Sequence, residues 1–139
     1  MPVEDLARDD VVTADAGTSV SDLASTMEER NVGSIVVTRD DEPIGIVTDR
    51  DLTLRVIAGS ADPDDTTAAD VMSEELHTID RREGFYRATE LMSEHGVRRL
   101  PVIHDGELVG IVTADDLTEL LADEQEQVAE IIRAQRPPY

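Results

Sequence analysis

Two short stretches, GIVTDRDL at residues 45–52 and GIVTADDL at residues 110–117, each place a hydroxyl and a carboxylate three positions apart. In both, an apolar run ends at the threonine and a helical pattern begins directly after it. A helix N-terminus presents unpaired backbone N–H groups and a positive dipole end, which together favour an anion such as phosphate. A carboxylate beside them can accept hydrogen bonds from both ribose hydroxyls, and a threonine hydroxyl can bond sugar or phosphate.

Helix capping is the alternative explanation of these residues, which form a first corner (Thr48 and Asp51) and a second corner (Thr113 and Asp116). A threonine at the N-cap accepts a bond from the backbone of the first turn, and the helix dipole stabilises an acidic residue there. Capping alone does not require the same spacing twice. We therefore expect both corners to cap a helix and at least one of them also to bind a nucleotide.

The corners belong to a longer internal repeat. A single shift aligns residues 11–53 with 76–118 without a gap, and the match continues upstream, where 5–7 face 70–72. Identical pairs along the alignment include Thr13 with Thr78, Met27 with Met92, Val32 with Val97, and Thr48 with Thr113. The chain is therefore predicted to contain two copies of one supersecondary unit.

The first copy is predicted to fold as β-α-β-β-α. A short strand at 11–13 is followed by a helix that Thr18 or Ser19 caps and Asn31 stops. The apolar positions of this helix have helical spacing and are Val20, Leu23, Ala24 and Met27. The remaining elements are strands at 34–37 and 44–47, joined by a polar turn, and a second helix at about 49–57.

The second copy repeats this order. Gly96 is predicted to end its first helix, and Asp105 and Gly106 form the turn of its hairpin. Its helix stripe is Phe85, Ala88 and Met92, and its hairpin strands are 100–103 and 108–112. The predicted division of the chain is repeat 1 at 1–59, a linker at 60–67, repeat 2 at 68–122, and a C-terminal helix and tail at 123–139.

A unit of this size cannot bury both faces of a three-stranded sheet alone. We therefore expect an α/β (α+β) fold in which the two repeats pack sheet to sheet with pseudo-twofold symmetry. In that arrangement the two corners edge two clefts between the repeats.

Two β-α-β-β-α copies that each end in G-I-V-T-x-x-D-L resemble a tandem pair of CBS domains, also called a Bateman module. DVM before the first strand of the second copy and GVRRLPVI at 96–103 strengthen the resemblance, which covers about residues 3–121. It implies a regulatory or sensor module that requires no cofactor and binds AMP, ADP, ATP or S-adenosylmethionine in its clefts. Such a module modulates an attached or separate enzyme or transporter. The alternative is a structural homodimerisation module with empty or vestigial clefts.

The resemblance also implies which residues line each cleft, because the threonine and aspartate come from one copy and much of the adenine wall from the other. The first cleft is assigned Thr48, Arg50, Asp51, His77, Val97 and Arg98. The second cleft is assigned Val12, Val32, Gly33, Arg99, Thr113 and Asp116.

The two predicted clefts differ in charge and in the residues of their walls. In the first, Arg50 can bind phosphate, and His77 replaces an aliphatic wall residue. In the second, Arg98 and Arg99 are available for phosphate, and Asp115 adds an opposing charge. Surface ion pairing is the alternative role of these two arginines.

The composition is strongly acidic, with a formal net charge of −20. The chain contains arginine but no lysine. Nucleic acid and anionic membranes bind proteins largely through basic side chains, so neither is expected as a partner, and regulation through RNA is disfavoured. An acidic surface without lysine resembles the proteins of extreme halophiles and predicts a haloarchaeal source. The alternative is an acidic mesophilic protein.

Other chemistry is not indicated by the sequence. The chain has no cysteine, which excludes disulfides, thiolate zinc sites and cysteine nucleophiles. His77, His95 and His104 lack metal-binding helical spacing, and no nucleophile-elbow or phosphate-loop motif occurs, so we expect neither a metal site nor an enzyme. No apolar run approaches twenty residues and the first residues lack a basic flank, which predicts a cytoplasmic protein.

The C-terminal stretch keeps helical periodicity from about residue 114 until Pro137 and Pro138. Its apolar positions are Leu117, Leu120, Leu121, Val128, Ile131 and Ile132. Such a helix either folds back on its own module or packs against another chain. An unidentified regulated protein is one expected partner, and a second copy is the other. The homodimer is predicted to form through Leu52, Val56, Leu117 and Leu121.

Overall fold

The computed structural model describes residues 1–73 and 75–138, and it contains the two predicted β-α-β-β-α copies. The strands are β1 (Thr13–Asp15), β2 (Ser34–Arg39), β3 (Glu42–Thr48), β4 (Ile79–Asp80), β5 (Arg99–His104) and β6 (Glu107–Thr113). The helices are α1 (Val20–Arg30), α2 (Asp49–Asp51), α3 (Ala68–Val71), α4 (Phe85–His95) and α5 (Ala114–Gln135). A π-helix at Leu52–Ile57 continues α2, and a 3₁₀ turn at Val3–Asp5 precedes the first strand.

Each copy forms its own three-stranded sheet, ordered β1-β2-β3 in the first and β4-β5-β6 in the second. In both sheets the first two strands are parallel and the last two are antiparallel. Both hairpin turns have two consecutive residues with positive φ, Asp40 and Asp41 in one and Asp105 and Gly106 in the other. The twist of such a turn matches that of paired strands. The predicted hairpins are therefore confirmed.

The predicted ends of the helices are also confirmed. Ser19, rather than Thr18, caps α1 and accepts a hydrogen bond from the N–H of Asp22 at 3.2 Å. Asn31 (φ 52°) and Gly96 (φ 63°) end α1 and α4 in the left-handed conformation, which stops the helix and turns the chain in a new direction.

The first strand begins two residues later than predicted. Its pairing with β2 starts where Thr13 faces Val36. Val11 and Val12 precede this ladder and line a cavity instead. Val12 also packs against the hydrophobic core of its own repeat, and its carbonyl accepts from the N–H of Val36 at 3.0 Å.

Each sheet buries one face against helices, and these two cores are the main source of hydrophobic stabilisation. The first core contains Val20, Leu23, Met27, Ile35, Val37, Val47, Val56, Ala68 and Val71. The second contains Val3, Ile79, Ala88, Met92, Leu100, Val102, Val112 and Leu117. Most of the helix stripe residues predicted from the sequence are in these cores, with Phe85 packed against the second, whereas the predicted Ala24 is exposed.

The segment that precedes each repeat packs on the other repeat. Val3 is fully buried in the second core, and its N–H donates to the carbonyl of Glu83 at 2.7 Å. Ala68 and Val71, which precede the second repeat, are buried in the first core. We call residues 3–8 and 68–73 the crossing segments. The first packed unit thus includes residues 68–71, and the second includes Val3. The predicted division into 1–59 and 68–122 assigns these residues to the opposite units.

The sheet faces that point away from these cores meet one another, as predicted. Val36 and Pro101 occupy equivalent positions, opposite Ile46 and Ile111, and both are fully buried outside the two helix-side cores. Side chains alternate between the faces of a strand, so these residues lie on the second face. Strands β3 and β6 approach one another across this interface. The result is a sheet-to-sheet pair of repeats.

The apolar stripe of α5 is not covered by the rest of the described chain. Leu117 is buried, whereas four apolar side chains further along are more than half exposed: Leu121, Val128, Ile131 and Ile132. Of the two alternatives for the tail, folding back on its own module does not hold for these residues. No helix in the described part of the chain has the length and apolar character that a membrane span needs.

The predicted dimer contacts through Val56 and Leu117 are wrong. Both side chains are 5% exposed and belong to the cores of their own repeats, so they are not available to a second copy. Leu52 also packs against the first core. Leu121 alone of the four predicted contacts is largely exposed.

Candidate functional site

Both corners form reciprocal capping boxes at the start of a helix. The Thr48 hydroxyl accepts from the N–H of Asp51 at 3.2 Å, and Asp51 Oδ2 accepts from the N–H of Thr48 at 2.8 Å. Thr113 and Asp116 make the same two bonds at 3.2 and 3.0 Å. Capping is therefore part of the role of these residues. It occupies one carboxylate oxygen, Oδ2, and leaves Oδ1 for another partner.

At the second corner an arginine occupies the remaining oxygen. Arg8 donates to Asp116 Oδ1 from Nε at 3.2 Å and from Nη2 at 3.0 Å. The Asp116 side chain is only 9% exposed, and that of Arg8 is 62% exposed. This hydrogen bond and the carboxylate charge raise the pKa of Arg8, so its guanidinium stays charged. Both oxygens of Asp116 therefore have protein partners.

At the first corner, within the described part of the chain, the equivalent oxygen has a more distant cation. Asp51 is 21% exposed, and Arg55 Nε lies 4.0 Å from its Oδ1. Arg55 directs another nitrogen to the carbonyl of Val71, at 2.9 Å. The first carboxylate is therefore more open than the second.

The difference arises from one position of the crossing segments. The shift that aligns Thr48 with Thr113 aligns Arg8 with Ser73. Arg8 and Ile111 exchange two backbone hydrogen bonds of 2.9 Å, and Ser73 N–H donates to Ile46 at 3.3 Å. The two backbones therefore approach the corners alike. The crossing segments differ in the side chain that they bring to the carboxylate, which is Arg8 at the second corner and Ser73 at the first.

The second corner opens on a cavity of about 400 Å³ between the repeats. Five predicted residues of the second cleft line it: Val12, Val32, Gly33, Arg99 and Thr113. Asp116 is absent from this lining, and Arg8 lines the cavity in its place. Further lining residues were not predicted from the sequence, and they are Arg8, Asp10, Val11, Arg30, Asn31, Ser34, Val36 and Ile111. The alignment of residues 5–7 with 70–72 was the available signal for Arg8, because it brings the crossing segment into the repeat.

Three arginines line this cavity, although the chain as a whole is strongly acidic. Arg8, Arg30 and Arg99 line it, against the carboxylates Asp10 and Asp115. Their guanidinium groups suit a phosphate, because arginine can form two parallel charge-assisted hydrogen bonds with its oxygens.

Gly33 lies close to the Asp49 carboxylate and to Arg99. A Cβ at this position would lie 3.3 Å from Oδ2 of Asp49, which is tight, and 3.6 Å from Nη2 of Arg99, which is an ordinary contact. A larger side chain would therefore require Asp49 to move.

A second cavity, of about 410 Å³, shares Arg99, Thr113 and Asp115 with the first. Its other lining residues are Asp49, Arg50 and Arg98. Arg98 forms an ion pair with Asp115 at 3.2 Å, and both side chains are about three-quarters exposed. The ion-pair alternative is therefore observed for Arg98, and such exposed pairs contribute little stability.

The residues predicted for the first cleft are not gathered in either cavity. Among the residues that the structure describes, Thr48, Asp51, His77 and Val97 line neither cavity, whereas Arg50 and Arg98 line the second cavity. His77 stacks on His95 with ring centroids 3.7 Å apart and planes at 12°. Their equivalents, Val12 and Arg30, line the cavity at the second corner. The repeats thus place different chemistry at matching wall positions.

The described residues, 1–73 and 75–138, do not form an evident metal site. No three histidine, aspartate or glutamate side chains of this part are arranged so that they could hold an ion together.

Comparison with known proteins gives consistent matches along the chain. The family model described as "CBS domain" matches residues 3–58 and again 68–123. An uncharacterised protein of Methanopyrus kandleri is 38% identical over 120 residues, which are 85% of this chain and 61% of that protein. The CBS domain-containing protein YhcV of Bacillus subtilis is 36% identical over 115 residues, covering 83% of this chain and 81% of YhcV. The chain therefore spans about three-fifths of the first relative and four-fifths of the second.

A solved structure shows the same fold with bound molecules. The CBS domain pair of protein MJ0100, in complex with 5′-methylthioadenosine and S-adenosyl-L-methionine, superposes with a TM-score of 0.80. The match covers 89% of this chain and 98% of that one at 22% identity. At this identity the likeness establishes the fold alone.

Proposed function

Because this chain belongs to the CBS domain family and contains two copies of the domain, we propose that it is a regulatory module that binds an adenosine-containing ligand. The site is the cleft at the second corner, and the candidate ligands are AMP, ADP, ATP and S-adenosylmethionine. Occupancy would modulate an unidentified protein, and no catalytic step is assigned to the chain. One observation carries the proposal: a capping corner opens on an inter-repeat cavity that combines apolar walls with three arginines.

The lining of the cavity matches the parts of such a ligand. Val12, Val32 and Ile111 offer apolar contact to an adenine ring from both repeats. The Thr113 hydroxyl would bond the sugar or phosphate, and Arg99 would supply charge, since both residues line the cavity. The MJ0100 pair holds two adenosine compounds on the same fold, which supports the ligand class.

We propose that the first cleft is weaker or empty. Its wall residue His77 is stacked on His95, so an adenine ring would have to displace an existing contact. Arg50 and Arg98 face the cavity shared with the second corner instead. One ligand per chain is the expected stoichiometry.

Calorimetric titration and thermal unfolding in multimolar KCl with each of the four compounds test the proposal. A ligand that binds only the folded chain raises the free energy of unfolding by about 2.7 kcal/mol at a hundredfold excess over its dissociation constant. Val12→Glu places a carboxylate in the wall and should abolish this shift. His77→Glu makes the matching change at the equivalent position and should preserve it. Absence of a shift for every compound with the wild-type chain would contradict the proposal.

A second candidate function is homodimerisation, and the exposed stripe of α5 favours it. Leu121, Val128 and Ile132 lie on a helix that extends past the repeats and are more than half exposed. Burying such a stripe against a second copy removes apolar surface from water. We propose a homodimer through α5, which is compatible with ligand binding.

Sedimentation equilibrium at high salt tests the dimer. Val128→Glu should lower the association constant, because it places a charge within the stripe. Val109→Glu is the matched control, since Val109 is an exposed valine (41%) on β6. A monomer at all concentrations, or equal effects of both variants, would count against the α5 interface.

The charge of −20 supports a further proposal about the solvent. At molar salt, repulsion among exposed carboxylates is screened within about 3 Å. We propose that the chain functions in a salt-rich cytoplasm, as in a haloarchaeon. Its unfolding temperature should rise steeply between dilute buffer and multimolar KCl, and a flat profile would contradict the assignment.

A further inference from the structure

Arg8 reaches the second corner from a segment that is fixed at several points. Val3 anchors the segment in the second core, and Arg8 itself exchanges two backbone hydrogen bonds with Ile111. Gly110 permits this approach, because a Cβ there would lie 3.0 Å from the carbonyl oxygen of Arg8. The guanidinium is therefore delivered to the cavity by rigid backbone, although the side chain itself is largely exposed.

The guanidinium lies between the cavity and the Asp116 carboxylate. Arg8 lines the cavity, whereas Asp116 does not, and both of its oxygens already accept hydrogen bonds. A ribose that used Asp116 Oδ1 would first have to separate this oxygen from Nε and Nη2 of Arg8. Asp116 Oδ1 can therefore bind a ribose only if Arg8 moves away from it.

We propose that Arg8 is a specificity-determining residue, which makes the second cleft select nucleoside phosphates over adenosine compounds without phosphate. This inference rests on the proposed function, because it concerns the ligand of the same cleft. In the ligand-free chain Arg8 binds Asp116. In the bound chain the guanidinium transfers to a phosphate oxygen, and Asp116 Oδ1 becomes available to the ribose hydroxyls.

The physical reason for selectivity is the cost of an unpaired cation. Arg8 released from Asp116 would lose two charge-assisted hydrogen bonds, in a cavity where the carboxylates Asp10 and Asp115 are already matched by two other arginines, Arg30 and Arg99. A phosphate replaces the lost carboxylate with a comparable anion, and the exchange is nearly balanced. A nucleoside without phosphate provides no replacement, and the sulfonium of S-adenosylmethionine adds another positive charge.

The first corner lacks this device. Ser73 replaces Arg8 there, and its hydroxyl donates to the carbonyl of Glu75 at 3.2 Å. Arg55 is 4.0 Å from Asp51 Oδ1 and is held partly by a backbone carbonyl. Any compound that bound at the first corner would use Asp51 without displacing a hydrogen-bonded cation.

The test compares adenosine and AMP by calorimetric titration on the wild-type chain, Arg8→Ala and Arg8→Gln. Wild type should bind AMP more tightly than adenosine. Both variants should reduce that preference by about tenfold or more, because AMP loses a charge-assisted contact while adenosine no longer has to displace the arginine. Arg8→Gln covers the case in which the alanine variant is too unstable to measure. Arg87→Ala, which removes an exposed arginine paired with Glu90, is the charge-matched control and should leave the preference unchanged.

The outcomes separate the two proposals. If wild type binds both compounds and the Arg8 variants change both affinities by the same factor, the role of Arg8 is wrong while the proposed function stands. If wild type prefers adenosine, the role of Arg8 is likewise overturned. If the wild-type chain binds neither compound, the proposed function fails for these ligands and the inference falls with it.

Discussion

The two corners have the same local backbone and different surroundings. Each threonine and aspartate form the same capping box, yet Asp116 is 9% exposed beneath Arg8 and Asp51 is 21% exposed with its nearest cation at 4.0 Å. The residue that the crossing segment delivers decides this difference, since it is Arg8 in one case and Ser73 in the other. A repeated motif can therefore specify where a helix begins without specifying what its carboxylate binds.

The walls of the two predicted clefts also differ in their residues. Val12 and Arg30 leave an open cavity, whereas His77 and His95 stack on one another at the matching positions. The two copies have similar backbones, and different residues at equivalent positions make them chemically unequal. Variants made in matched pairs can measure this inequality.

The largest effect is expected from the buried anchors of the crossing segments. Val3→Ala and Val71→Ala each remove buried methyl groups and should lower the free energy of unfolding by about 2 kcal/mol or more. Denaturant unfolding at constant KCl measures this loss. Val3→Ala should in addition weaken AMP binding, because its segment carries Arg8, and Val71→Ala should not. Equal effects on binding would remove the proposed link between the segment and the second corner.

The next effect concerns the carboxylates. Asp116→Asn weakens a capping box and leaves Arg8 without its anion, so it should cost about 1–2 kcal/mol of unfolding free energy. Asp51→Asn weakens the equivalent capping box and removes only a long, exposed ion pair with Arg55, so it should cost about half as much. Thermal unfolding of the two variants side by side checks the order. A larger loss for Asp51→Asn would reverse the comparison drawn between the corners.

A smaller loss is expected for Arg8→Ala without ligand. Arg8 is 62% exposed, so its ion pair should contribute less than about 1 kcal/mol, and less still as KCl is increased. Its raised pKa means that this contribution is present below the unfolded-state value and is lost only in strongly alkaline solution. The titration of Arg8 itself should therefore not change stability between neutral pH and pH 9. Ser73→Ala is the matched control, and denaturant unfolding at two salt concentrations distinguishes the variants.

The smallest effect is expected for Arg98→Ala. Its ion pair with Asp115 is exposed on both sides, so the variant should change the free energy of unfolding by no more than about 0.5 kcal/mol. Arg99→Ala, at the adjacent position, should weaken AMP binding because Arg99 lines both cavities. Titration of both variants with AMP tests this contrast. An equal loss of affinity would place Arg98 in the binding site as well.

Much of the fold was predictable because it depends on local signals. The ends of the helices follow from Ser19, Asn31 and Gly96, whose preferred conformations act within a few residues. Aspartates and a glycine set the hairpin turns in the same way. The first strand was misplaced because Val11 and Val12 line a cavity that periodicity does not reveal, and Val12 packs against the first core from outside the strand ladder.

The predicted site was only partly accessible from local sequence signals. Thr113, Val12, Val32, Gly33 and Arg99 surround one cavity, as the second cleft requires, although their role in binding stays a prediction. The partners of the side chains at the two corners were not evident, because they depend on long-range contacts.

By itself, the sequence determined that the chain has two copies of one unit, where its helices and hairpins begin and end, and that a threonine and an aspartate meet at each helix start. These properties follow from turn conformations, capping and hydrophobic periodicity, all of which operate over a few residues. Only the tertiary structure decided that each crossing segment packs on the other repeat and that Arg8 covers Asp116, 108 positions away in the chain. It did so because burial of the two cores brings distant segments together, and a charged side chain binds the carboxylate that this packing places beside it.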